Sequence, residues 1–181
     1  SSVERAKREL DKSLKEDRDT IRDLKRRLEE SRKRDREVIE ELKKILKKLL
    51  DEVKDSGISK DLLKRIEDAV RTIEEELKRI HDDTERMTRE HKERIERIHD
   101  RTKKVSDEHK KTIEDLKRKG GDDDKIKKLL DHNRKVLEDS KEELRRLLET
   151  NKRILEESKK RLDRLAEEIE KVARTVKEEA R

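Results

Sequence analysis

Histidine is the side chain best suited to acid–base chemistry near neutral pH, and this chain contains five. They are His81, His91, His99, His109 and His132. Together with Asp17 and either Thr102 or Ser140, His99 would supply the residue types of a hydrolytic triad. A triad also needs an oxyanion hole and a substrate cavity, and regular helices offer neither. The sequence therefore predicts no catalytic residues and no enzyme.

Metal and cofactor sites are not expected either. From His81 to His109 the histidines are spaced 10, 8 and 10 residues apart, never the four that places two ligands on one helix face. There is no cysteine, so thiolate-ligated metals and disulfides are excluded. The pair formed by His109 and His132 would be a weak site. We predict no metal ligands and no cofactor-binding residues.

Composition excludes several further functions. Charged residues make up 59% of the 181 residues, and there is no aromatic residue and no proline. Nucleic-acid binding is nominally allowed by a net charge of +6, but 50 acidic residues are interleaved with 56 basic ones, and stacking side chains are absent. No apolar run is long enough to cross a membrane. We expect neither a nucleic-acid partner nor a membrane partner.

Glycine marks two interruptions in a chain of strong helix formers. Gly57 and Gly120 can end helices in the left-handed conformation, and Ser59 and Asp122 can cap the helices that follow. These breaks predict helices over about 3–55, 60–119 and 123–180. Because short loops join antiparallel neighbours, the expected fold is all-α: a long, straight, up-down-up three-helix bundle forming one domain over residues 1–181.

An 18-residue repeat runs through all three predicted helices. Residues 80–97 and 98–115 are identical at nine of 18 positions, and the other two helices repeat in the same way. Eighteen residues are five turns of 3.6 residues, so an apolar seam with this period does not drift around a straight helix. The repeat predicts a nearly untwisted bundle.

Polar residues within the repeat align across the three helices. If the loops lie near residues 57 and 121, Asp17 is level with His99 and Asp35 with His81. One serine or threonine from each helix meets in each of two layers: Ser13 with Thr102 and Ser140, and Ser31 with Thr84 and Ser158. Two further layers pair a histidine with an asparagine: His109 with Asn133, and His91 with Asn151. The predicted buried polar network comprises Ser13, Asp17, Ser31, Asp35, His81, Thr84, His91, His99, Thr102, His109, Asn133, Ser140, Asn151 and Ser158.

Such layers favour interhelical hydrogen bonds that fix helix register. A pH switch is the sharper alternative. His91 and His109 are paired with asparagine, so desolvation would disfavour their protonated forms. The stability that they contribute would then be lost in acid. Histidines paired with aspartate, His81 and His99, would resist acid until the aspartates are protonated.

Repeated helices, short glycine loops, charged surfaces and aligned polar layers together resemble de novo designed helical bundles with built-in hydrogen-bond networks. The resemblance covers the whole chain and is one of style, with no family motif. It implies a stable, soluble recombinant scaffold of coiled-coil type, with no natural biochemical function, and in some cases a response to pH. Spectrin-like three-helix repeats normally carry core aromatic residues, which this chain lacks.

Assembly with other chains remains the main alternative to a monomer. Paired apolar positions such as Val38-Ile39 and Ile45-Leu46 widen the stripe of the first helix. They suit a helix that packs against two neighbours in its own chain. They would equally suit a homo-oligomer or a separate helical partner.

Overall fold

Three long helices make up nearly all of the computed structural model, which describes residues 2–120 and 123–179. They are α1 (Ser2–Asp55), α2 (Lys60–Arg118) and α3 (Asp123–Glu179). No strand occurs in these two ranges. The predicted all-α three-helix bundle is confirmed, and its helix ends agree with the sequence-based bounds within one residue wherever the chain is described.

The helix ends follow the local sequence. Gly57 has a φ of 70°, and Gly120 has a φ of 99°, both in the left-handed region that glycine adopts without strain. The Ser59 hydroxyl accepts a 3.2 Å hydrogen bond from the Leu62 backbone N–H, as an N-cap residue does. The proposed cap at Asp122 lies outside the described residues, as does the predicted last helical residue, 180.

The chain divides into two compact units, and all three helices contribute to each. Unit 1 comprises the described residues of Ser1–Leu28 and Arg89–Asn151. Unit 2 comprises those of Glu29–Thr88 and Lys152–Arg181. The prediction of one domain over the whole chain, like that of an untwisted bundle, stays a prediction.

The two units differ in how their cores are built. Unit 1 has two separate apolar clusters, one around Ile21, Ile95 and Leu144 and one around Leu10 and Ile113. Unit 2 has one larger cluster that runs along α1 from Ile39 to Val53 and draws residues from all three helices. Several of its members, among them Val53, Ile73 and Ile169, stand where the other two copies of the 18-residue repeat carry polar residues. The predicted polar layers are therefore confined to two of the three repeats.

Candidate functional site

The best-formed polar layer lies in unit 1, between α2 and α3. The hydroxyl oxygens of Thr102 and Ser140 are 2.6 Å apart, and these residues are only 2% and 1% exposed. Thr102 also donates to the Ile98 carbonyl at 3.0 Å. Ser13, predicted as the α1 member of this layer, is half-buried. Two hydroxyls in contact inside a leucine-rich core satisfy one another across the helix pair.

One turn away, α1 and α2 bring Asp17 and His99 together as predicted. His99 Nδ1 lies 3.5 Å from Asp17 Oδ2, and Asp17 is only 2% exposed. Burial raises the pKa of the Asp17 carboxyl, and the neighbouring His99 partly offsets that rise. Both of these atoms are buried without a partner at good hydrogen-bond geometry. The pair is a close electrostatic contact rather than a well-formed hydrogen bond.

The residues of the two predicted histidine–asparagine pairs all lie in unit 1. His109 Nδ1 and Asn133 Oδ1 are 3.0 Å apart, which requires the proton on that ring nitrogen if the asparagine oxygen is the acceptor. The exposed His132 ring packs edge-on against His109, with ring centres 5.2 Å apart. Asn133 is buried and His109 is partly buried, so this layer lies at the edge of the core.

His91 and Asn151 form the second such layer, and His91 is the most buried of the five histidines. Desolvation by burial lowers the pKa of His91, and the nearby Asn151 side chain partly opposes that shift. His91 Nδ1 is buried with no hydrogen-bond partner. The side chain is therefore held in a site that favours neutral imidazole.

Unit 2 contains the predicted layer of Ser31, Thr84 and Ser158, all of them buried. Thr84 donates within its own helix, to the Ile80 carbonyl at 2.8 Å or the His81 carbonyl at 3.0 Å. This layer therefore differs from its counterpart in unit 1, where the threonine hydroxyl reaches the serine of α3.

The sequence analysis missed the most unusual polar residue of the core, Arg32, which is 2% exposed. Its Nη2 lies 3.1 Å from His81 Nδ1 and donates to Glu85 Oε1 at 2.8 Å. The predicted partner of His81 was Asp35. That carboxylate instead has its Oδ2 3.8 Å from Arg32 Nη1, with no hydrogen-bond partner for that oxygen.

The two carboxylates near Arg32, Glu85 and Asp35, are paired with it unequally. Glu85 also accepts two hydrogen bonds from Arg36, at 2.7 and 3.0 Å, and this pairing lowers the pKa of Glu85 to about 2. Burial raises the pKa of Asp35, partly offset by Arg32. The Nε and Nη1 atoms of Arg32 are buried without hydrogen-bond partners. Glu85 is thus the firm counter-ion of this buried guanidinium.

The repeat itself contains the signal that would have found Arg32. The equivalent α1 positions in the other two repeats are Leu14 and Leu50. A charged residue where the repeat otherwise has leucine indicates a buried charge with a specific partner.

No family model, curated protein or solved structure matches this chain. Within the described residues, no group of three or more histidine, aspartate or glutamate side chains could hold a metal ion. No described helix is both long and apolar enough to cross a membrane.

Proposed function

We propose that this chain is a structural scaffold, a helical bundle whose buried polar layers specify which helix positions pair, and that it catalyses no reaction. The contact that carries this proposal is the Thr102–Ser140 hydroxyl pair, 2.6 Å apart and almost fully buried. Its residues stand one repeat away from Thr84 and Ser158, at the same spacing on both helices.

An apolar seam alone does not fix the register of one helix against another. Leucine and isoleucine pack nearly as well after one helix shifts along the seam. A buried hydroxyl or amide that loses its hydrogen-bond partner, by contrast, lowers the free energy of unfolding by about 1–3 kcal/mol. Polar layers therefore penalise the wrong alignments more than they stabilise the correct one. The resemblance to designed bundles supports the same function, and we extend the proposal to a designed origin.

The test replaces unit 1 layers by the residues that the chain itself uses in its apolar repeat. His109→Ile, Asn133→Ile, Thr102→Ile and Ser140→Val copy Ile73, Ile169, Ile66 and Val176, which are all buried. Spin labels at the exposed positions 104 and 135 would report the α2–α3 distance by pulsed electron paramagnetic resonance. We expect one narrow distance distribution in the parent and several distances in the variant, at equal helix content. One equally narrow distribution in the variant would contradict the scaffold proposal.

A second candidate function, a response to pH, is favoured by His91. Its lowered pKa means that the unfolded chain binds a proton more readily than the folded one. Its contribution to stability is present above the unfolded value of 6.5 and is lost as the pH falls below it. The raised pKa values of Asp17 and Asp35 act in the opposite sense, because these carboxyls take up protons more readily in the folded state.

Guanidinium unfolding at pH 7.4 and pH 4.5, with light scattering on the same samples, separates the two candidates. A midpoint that hardly moves and a mass that does not change would favour a scaffold alone. A midpoint that collapses at pH 4.5 would favour a proton-driven switch.

A further inference from the structure

The fifth histidine, His132, belongs to none of the predicted polar layers. It lies on α3 next to Asn133, and its ring packs against that of His109 on α2, with ring centres 5.2 Å apart and ring planes at 72°. The two histidines stand 23 residues apart in the sequence, on different helices of unit 1, so the fold brings their imidazoles together. Imidazole is the side chain that most often ligates metal ions in proteins.

The repeat identifies His132 as a departure from its own pattern. The predicted layer of His91 and Asn151 stands one repeat away on each helix, and there the position equivalent to His132 holds Thr150. A histidine–asparagine layer therefore does not require a second imidazole. Since His132 is exposed, the apolar core does not require its ring for packing either.

The hydrogen bond of His109 leaves its other ring nitrogen available to a ligand. With Asn133 Oδ1 as the acceptor at 3.0 Å, the proton is on Nδ1 and the lone pair is on Nε2. Metal-bound histidines usually donate their second ring nitrogen to an oxygen in this way, which fixes both the tautomer and the ring orientation. Asn133 is 4% exposed, so the residue that orients His109 is itself held in the core.

The separation of the two rings fits a pair of imidazoles on one tetrahedral ion. With zinc–nitrogen bonds of about 2.0–2.1 Å, the centres of two such imidazoles lie roughly 5 Å apart. The distance between His109 and His132 is 5.2 Å, and the exposed His132 ring can turn a nitrogen towards the ion without disturbing the core. No third histidine, aspartate or glutamate of the described chain completes a set of ligands, so water would fill the remaining positions.

We propose that His109 and His132 form a two-histidine site for a divalent transition-metal ion, with Asn133 as the positioning residue. Imidazole ligands suit Zn²⁺, Ni²⁺ and Cu²⁺, whereas Mg²⁺ prefers oxygen ligands. A bound ion links α2 to α3 within unit 1, and an ion that binds only the folded chain stabilises it by mass action. The proposal goes beyond the scaffold function and requires only that unit 1 is folded.

The experiment titrates the full chain, without a histidine tag, with ZnCl2 by isothermal titration calorimetry, and repeats the titration with MgCl2. The matched control is His132→Thr, which copies Thr150 and keeps the other four histidines and all carboxylates. A second variant, Asn133→Ile, copies the buried Ile169 and removes the side chain that orients His109. Nitrogen-15 NMR of the histidine rings identifies which nitrogens bind the ion.

We expect the parent to bind one Zn²⁺ per chain at least about tenfold more tightly than His132→Thr does, with no saturable binding of Mg²⁺. Asn133→Ile should weaken Zn²⁺ binding by about tenfold or more, because the oxygen partner of a ligating histidine typically contributes that much. The Nε2 signal of His109 should shift when Zn²⁺ is added, and that of His81 should not. Unchanged Zn²⁺ affinity in Asn133→Ile would contradict the positioning role.

Equal Zn²⁺ affinity in the parent and in His132→Thr would overturn the proposal, as would the absence of saturable binding at millimolar ZnCl2. Similar Zn²⁺-induced shifts at all five histidine rings would also overturn it, because binding would then be adventitious. A Zn²⁺-dependent increase in mass by sedimentation would do the same, since the two ligands would then come from different chains.

Discussion

Two equivalent stretches of the repeat, one in each unit, have nearly the same polar residues and use them differently. In unit 1, Asp17 lies beside His99 and the residue at position 14 is a buried leucine. In unit 2 the corresponding residue is Arg32, and it contacts His81 in place of Asp35. The polar layer therefore has different partners where unit 2 has Arg32 and Glu85 in place of Leu14 and Lys103. A buried guanidinium needs acceptors close by, because a charge removed from water is costly unless it is paired and hydrogen-bonded.

The largest expected effect comes from removing the counter-ion of Arg32. Glu85→Ala leaves a guanidinium that is 2% exposed and whose remaining described ion pair is with Asp35, 3.8 Å away. We expect a loss of about 2–4 kcal/mol in the free energy of unfolding, measured by urea titration at pH 7. The matched control is Lys103→Ala, at the equivalent position of unit 1, where an exposed lysine stands and Leu14 takes the place of the buried arginine. A change under about 0.5 kcal/mol for Glu85→Ala would mean that water or Asp35 suffices.

Arg32→Leu should make unit 2 resemble unit 1. It removes the buried guanidinium, including two nitrogens that lack partners, and frees His81 to approach Asp35. We expect stabilisation of about 1–2 kcal/mol, because well-packed apolar residues often replace buried charges with a gain. Nitrogen-15 NMR of the histidine ring would detect the new partner. Destabilisation, with the ring signals of His81 unchanged, would show that the arginine holds the layer together.

The hydroxyl pair offers a smaller comparison between the units. Thr102→Val leaves the buried Ser140 without its 2.6 Å partner and should cost about 1 kcal/mol. Thr84→Val removes hydroxyl contacts to carbonyls of its own helix and should cost less. Thermal unfolding of the two variants side by side tests the difference. Equal costs would indicate that the α2–α3 contact adds nothing to stability.

The smallest expected effect concerns pH. His91→Ile copies Ile73, the buried residue one repeat earlier in α2. Because the pKa of His91 is lowered in the folded state, this variant should lose part of the decrease in stability that the parent shows below pH 6.5. The contribution is at most about 1.4 kcal/mol per unit of pKa difference. Chemical denaturation at pH 7.5 and pH 5.5 measures it, and an identical pH dependence in both proteins would exclude His91 as an acid-sensitive group.

Much of this bundle follows from local chemistry in the sequence. The helix ends are predictable because Gly57, Ser59 and Gly120 have strong conformational or capping preferences. The 18-residue spacing also predicts which polar side chains share a layer, since residues one repeat apart lie on the same helix face. His109 meets Asn133, and Thr102 meets Ser140, as that spacing requires.

Which side chains pair with Arg32 depends on packing that the sequence does not specify. Arg32 occupies a leucine position, so its guanidinium could have turned towards solvent or into the core. Only the arrangement of α1 against α2 places Glu85 and His81 within its reach and leaves Asp35 as the weaker neighbour. Helix positions and layers are therefore set by local periodicity, which acts over neighbouring residues. The choice among competing charged partners is set by the tertiary structure, because desolvation and distance between helices decide it together.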